Sequence, residues 1–144
     1  MMSIKPIKVN RYWVYRDLWS RTWTSDISQR SALNDRNTQD RFIDRYLVPH
    51  VQPSRYPEHE RYRHKLKESL RYYLNIMNSE TTEELTEEWN DRFIPFQLPY
   101  DVHAFLYHIW ERLFPTESWE IALLDWYVDL NDPLIPILMP SPRS

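Results

Sequence analysis

A chain of 144 residues, 42% hydrophobic and 27% charged, is long enough for one compact domain and too apolar for wholesale disorder. Cysteine and glycine are both absent, which excludes disulfides, thiol nucleophiles, Cys-ligated metals and glycine-rich phosphate loops. The net charge of −3 conceals a split: residues 1–75 carry 15 Lys/Arg against 8 Asp/Glu, residues 76–144 carry 3 against 13, and the halves stand at +7 and −10.

Average usage would supply roughly 10 glycines in a chain this long. Their absence removes the usual residue for positive-φ turns and helix C-caps, and with it the tight Asn-Gly hairpin. Eleven prolines remain, so helices punctuated by proline are the natural product. Met1 to Asn10 lacks the apolar run of a secretory leader, and no stretch reaches 18 uninterrupted apolar residues. Arginine outnumbers lysine 14 to 4; the lack of glycine and cysteine with many prolines and ion-pairing residues would suit a heat-resistant protein.

In chain order, residues 1–10 read as an extended lead-in with Lys5, Pro6 and Lys8. Residues 10–24 contain RYWVYRDLWSRTW, in which Arg11, Arg16 and Arg21 recur every five residues among Tyr12, Trp13, Tyr15, Trp19 and Trp23. A helix there would carry apolar residues around its whole circumference, because Tyr12, Trp13, Val14 and Tyr15 are consecutive. Residues 25–48 read as helical with a break near Asn34 to Asn37. Thr38 is a candidate cap for a helix whose Phe42, Ile43, Tyr46 and Leu47 share a face. Pro49, Pro53 and Pro57 mark a linker over 49–56.

Four helix-like segments follow. Residues 57–77 start with proline at a first helical position, and Tyr62, Leu66, Leu70, Tyr73 and Met77 form an apolar stripe. In ETTEELTEEWNDRFIP, Thr81 and Glu84 resemble a capping box, with Leu85 and Trp89 as a narrow apolar face. Asp101 is placed to cap DVHAFLYHIWERLF. Thr116 or Ser118 would start a last helix, SWEIALLDWYVDL, whose apolar residues nearly encircle it and call for deep burial. The tail PLIPILMPSPRS has too many prolines for a helix and reads as an apolar strap. The expected fold is all-α: a basic aromatic arm over 1–56, a four-helix bundle over 57–130 and an extended tail over 131–144.

Catalytic constellations are scarce. His59 and His64 in HERYRH are five residues apart, as are His103 and His108, so on a helix each pair diverges by about 140° instead of sharing the face a zinc pair needs. Glu83, Glu84, Glu87 and Glu88 read as a solvated helix face, or as a surface for a basic partner. No metal, cofactor or small-molecule substrate is implied, and the expectation is a protein that is not an enzyme.

The basic half carries more information. Arg11, Arg16, Arg21, Arg30, Arg36, Arg41 and Arg45 are spaced through it, and arginine pairs bidentately with phosphate while aromatics beside it stack or pack on sugars. Three readings of Trp13, Trp19 and Trp23 stand open. They are core anchors with arginines paired to Asp17, Asp26 and Asp44, or protein-interface residues, or part of a nucleic-acid surface.

A basic aromatic arm, proline punctuation without glycine and a helical region rich in Trp and Tyr together resemble the coat proteins of filamentous archaeal viruses of the lipothrixvirus type. The resemblance is one of layout and length over most of the chain. It implies a helical arm gripping double-stranded DNA, an outward-facing four-helix bundle, pairing with a paralogous coat subunit, and a virion in which many pairs wind around the genome inside a lipid envelope. The implied DNA contacts are Lys5, Lys8, Arg11, Arg16, Arg21, Arg30, Arg36, Arg41 and Arg45. The implied subunit or lipid contacts are Trp13, Trp19, Trp23, Leu134, Ile135, Ile137 and Leu138. Asp17, Asp26, Asp35, Asp40 and Asp44 depart from this pattern by diluting the arm's positive charge. The alternative function is a small helical inhibitor or immunity-type protein that holds a basic protein partner through its acidic C-terminal half.

Overall fold

The computed structural model describes residues 6–17, 31–91 and 96–135. It is mostly helical, with four helices of seven or more residues: α1 (Arg36–Phe42), α2 (Pro57–Ile76), α3 (Ser79–Asp91) and α4 (Val102–Leu113). Two small parallel pairings accompany them. Strand β1 (Ile7–Val9) joins β4 (Tyr127–Asp129) with Ile7 opposite Tyr127 and Val9 opposite Asp129. Strand β2 (Ser31–Ala32) joins β3 (Phe96–Gln97). Both link segments far apart in sequence, as parallel pairing requires.

Local chemistry explains most boundaries. Asp35, not Thr38, caps α1: the Thr38 amide donates to Asp35 Oδ2 at 3.2 Å. The helical path then continues through a π turn at Ile43–Leu47 and a 3₁₀ turn at Val48–His50, entering the expected linker. Pro57 opens α2 from its first turn, where a missing N–H costs nothing. The capping box of α3 is one helical turn earlier than Thr81 and Glu84 would have made it. The Thr81 amide donates to Asn78 Oδ1 at 3.0 Å, and the Asn78 amide donates to Thr81 Oγ1 at 2.9 Å. Asp101 caps α4 as its sequence predicts, accepting from the Ala104 amide at 3.0 Å.

Two further expectations are corrected. Residues 31 and 32 are strand rather than helix, because β3 offers them a partner. Residues 118–130 are not a helix: they run irregularly to a 3₁₀ turn at Leu124–Trp126 and then form β4. Ile121, Trp126, Tyr127 and Val128 are β-branched or aromatic, types that accept extended backbone, and the edge of β1 satisfies the backbone groups a helix would have satisfied. Asn131 turns the chain after β4 with φ 46, the left-handed geometry where asparagine stands in for glycine. One buried cluster draws on both sides of position 56/57. Trp13, Val14, Tyr15, Leu33, Phe42, Ile43 and Leu47 share one buried cluster with Leu66, Tyr73, Trp89, Phe105 and Trp110.

The helical turn at Arg11–Asp17 clarifies the circumferential aromatics. It packs against both α2 and α3, so Trp13, Val14 and Tyr15 are all buried although they point in different directions. Tyr15 meets Tyr73 edge-on at 5.5 Å, and Phe42 lies 6.2 Å from Trp89 and 6.1 Å from Phe105.

Candidate interaction surfaces

The N-terminal arginines face carboxylates of their own chain. Arg11 donates through Nε to Asp129 Oδ2 at 2.8 Å, its amide donates to Asp129 Oδ1 at 3.2 Å, and its Nη1 lies 3.6 Å from Glu84. Burial opposes the Arg11 charge, but the Asp129 hydrogen bond and the nearby carboxylates outweigh it and hold the pKa above the ordinary guanidinium value. Arg16 grips Glu88 with two bonds of 2.9 and 2.8 Å, donates to the Pro133 carbonyl at 3.0 Å and lies over the Tyr12 ring. Of the nine expected DNA contacts, these two are therefore engaged inside the fold.

Trp13 is likewise not a surface residue. It is 3% exposed, and its indole N–H donates to the Ile135 carbonyl at 2.9 Å. The core-anchor reading holds for it. Tyr15 donates to Glu84 at 2.9 Å, and burial first, then Tyr73 and Glu84, raise its pKa far above the ordinary phenol value. Burial pushes Tyr73 up to about 12.

Lys8, Arg36, Arg41 and Arg45 are exposed, and none has a carboxylate partner among the described residues. The Arg45 guanidinium stacks 5.4 Å from the centre of the Tyr46 ring. Arg36 borders a shallow hollow of about 330 Å³ with Asn34, Gln39, Tyr100 and Asp101, where the Tyr100 ring is 97% exposed. Lys5, Arg21, Arg30, Trp19, Trp23, Ile137 and Leu138 lie outside the described residues. Leu134 is 86% exposed and Ile135 is exposed beside it.

The acidic half divides in the same way. Glu84 and Glu88 face Arg11 and Arg16, whereas Glu80, Glu83, Glu87 and Asp91 are exposed along the outer side of α3. Elsewhere Arg112 bridges Asp40 and Asp44, and the buried His108 meets Asp40 through Nε2. His103 instead meets Thr82 Oγ1 at 3.0 Å, so the two histidines of α4 serve different neighbours. Among the described residues no three His, Asp or Glu side chains gather in a way that would hold a metal ion, and no helix is long and apolar enough to cross a membrane.

Sequence reasoning missed one surface. The ribbon over 117–135 is anchored to the body mainly through polar groups. Glu117 accepts from Lys67 at 3.1 Å and Arg71 at 3.2 Å, Asn75 bonds the backbone of Trp119 and Ile121, and Tyr127 donates to the buried Glu68. Asn10 and Trp13 donate to carbonyls of Asp132 and Ile135. Trp119 on Tyr107, Tyr127 on Tyr72 and the partly buried Leu130 add apolar contact. The remaining apolar side chains face out: Leu123, Leu124, Trp126 and Val128 are each between 42% and 50% exposed. The signal for this was the mixture of Trp, Tyr, Ile and Val with five carboxylates and no cation over 117–135. No family model matches the chain, and neither a curated protein nor a solved structure matches it.

Proposed function

We propose that the chain is a non-enzymatic structural subunit that lies along double-stranded DNA without reading its sequence and associates with further copies of itself. The observation that carries this reading is the division of the cations. Arg11 and Arg16 are neutralised by Asp129, Glu84 and Glu88, whereas Lys8, Arg36, Arg41 and Arg45 remain exposed without carboxylate partners among the described residues. Arg41 and Arg45 are four apart on one helical path, a spacing that puts both guanidinium groups on one side of it. Such groups neutralise phosphates and release counterions, which gives affinity without base recognition. A bundle of helices as the outward body, a paralogous subunit, a lipid envelope and a virion location belong to the same reading, through the layout shared with filamentous coat proteins.

The test is binding of a random-sequence duplex across a salt series, followed by fluorescence anisotropy. Wild-type chain should bind with a steep salt slope, and R36E/R41E/R45E should lose about 0.9 in slope for each phosphate contact removed. R16A should leave the slope unchanged, since Arg16 is engaged with Glu88. Absence of duplex binding by the wild-type chain at low salt would remove the DNA part of the reading.

The stripe on α3 favours a second reading. Glu80, Glu83, Glu87 and Asp91 recur at three or four residues and are all exposed, a geometry suited to the basic surface of a protein target. An inhibitor of this kind would ignore DNA, and E83Q/E87Q would weaken its hold on a basic protein while leaving its unfolding midpoint unchanged.

A further inference from the structure

The ribbon over 117–135 has an inverted arrangement: polar groups fasten it to the body, and apolar side chains face solvent. Glu117, Asn75, Tyr127 and Asp129 do the fastening. Leu123, Leu124, Trp126, Val128 and Leu134 are the large apolar residues left outside. Scattered exposed apolar residues are ordinary, but here they follow one another along one extended segment, which marks a contact surface.

Charge decides what covers it. Residues 117–135 hold no Lys, Arg or His; of their five carboxylates, Glu117 and Asp129 are paired with cations of the body, while Glu120 and Asp125 are exposed. Two such ribbons placed face to face would oppose like charges around an apolar centre, so a symmetric ribbon-to-ribbon contact is disfavoured. The same chain carries a complementary surface. On α2, Arg61 and Lys65 are exposed, four residues apart, and without carboxylate partners among the described residues, with the Lys65 ammonium 5.9 Å from the centre of its own chain's Trp13 ring; His64 is exposed beside them. Arginine and lysine offer long aliphatic stems as well as charge, and an indole ring accepts a guanidinium on its face.

We propose that the ribbon of one copy docks on the α2 face of a second copy, with Trp126 against Arg61 and Lys65 and with Asp125 and Glu120 at the charged rim. The contact is head-to-tail. The pair then keeps one ribbon and one α2 face free, and the assembly grows into a ring or a filament instead of stopping at two. The proposal deepens the self-associating part of the function above and is independent of its DNA part, because Arg61 and Lys65 are not among the residues assigned to phosphate.

Two variants of the full chain test it. W126D alters the ribbon, and R61E/K65E alters the α2 face; both sites are exposed, and circular dichroism with thermal unfolding checks that each variant folds. By analytical ultracentrifugation the wild-type chain should form concentration-dependent species larger than a dimer at low salt. Each variant alone should associate about 30-fold more weakly, the size expected for loss of a central interface anchor. The decisive sample is the equimolar mixture. W126D still offers an intact α2 face and R61E/K65E an intact ribbon, so a one-to-one dimer that stops growing is expected. A wild-type chain that stays monomeric, a W126D variant that assembles like wild type, or a mixture that forms no dimer would each overturn the proposal. Duplex binding measured on the same monomeric variants separates the two readings. DNA binding with no assembly sinks the docking alone, and assembly with no DNA binding sinks the DNA part alone.

Discussion

Residues 6–17 and the ribbon over 117–135 lie side by side, paired through β1 and β4, and they bury their side chains in opposite senses. In the first, Trp13, Val14 and Tyr15 go inside while Arg11 and Arg16 reach sideways to carboxylates. In the second, polar groups of Glu117, Tyr127 and Asp129 turn inward while Leu123, Leu124, Trp126 and Val128 remain at the surface. Both are rich in aromatic and aliphatic residues. Apolar content fixes how much surface a segment needs covered, whereas its neighbours in space fix which side is covered. The N-terminal turn is enclosed by α2, α3 and the ribbon; the ribbon has the body on one side only.

The sharpest way to break this contrast is to truncate one tryptophan from each region. Trp13→Ala should cost about 3–5 kcal/mol of stability, the range for removing a large buried aromatic side chain. Trp126→Ala should stay within about 0.5 kcal/mol when urea unfolding is followed on dilute monomer, as for most surface substitutions. Equal losses at the two positions would show that the ribbon is as much a part of the core as the N-terminal turn.

The ion pairs give the next largest effect and distinguish the two arginines. Arg11→Ala leaves Asp129, whose side chain is only 7% exposed, without its charged partner. About 2 kcal/mol is expected, because a shielded carboxylate deprived of its donor bears a desolvation penalty. Arg16→Ala acts on a pair only partly buried at both ends, with side chains 27% and 23% exposed, and should cost about 1 kcal/mol or less. Denaturation of both variants, with D129N as the second corner of a double-mutant cycle for Arg11, checks the ranking.

A smaller effect belongs to the turn that ends the ribbon's strand. Asn131→Ala should cost about 1 kcal/mol, since alanine lacks the tolerance of asparagine for the left-handed geometry at φ 46. Asn131→Gly should be near neutral, because relief of the backbone is offset by the entropy glycine adds to the unfolded chain. A comparison of thermal midpoints decides it.

How much of this was legible follows from the physics of each segment. The periodic stripes of α2 and α4 announced helices because three or four apolar residues per two turns have few other uses, and Asp101 and Pro57 marked their starts. The cap at Asn78 was hidden, since Thr81 serves as its reciprocal partner instead of opening a box of its own. The ribbon was misread because residues that suit a buried helix also suit an edge strand. Its pairing with β1 spans almost the whole chain, beyond the reach of any local pattern. The charge split left open whether the basic and acidic halves pair within one chain; that Arg11 finds Asp129 and Arg16 finds Glu88 depends on the fold.

Acid should weaken the hold of the body on the ribbon at Glu117. Burial works to raise the Glu117 pKa, but the hydrogen bond and charge of Lys67, with Arg71 behind them, outweigh it and leave the pKa below the ordinary glutamate value. A carboxyl whose pKa is lower folded than unfolded contributes stability above its unfolded pKa and loses it as pH falls through the folded one. The contribution is therefore intact at neutral pH, begins to fade near about pH 4.5, and is gone once Glu117 is protonated in both states. E117Q should be slightly less stable than wild type at pH 7, and the gap should close on acidification. The gap is the smallest expected here, because a carboxylate one-third exposed is screened by solvent, and added salt should narrow it further. A gap that persists unchanged to pH 3 would mean that Glu117 holds the ribbon by shape, with its charge contributing nothing.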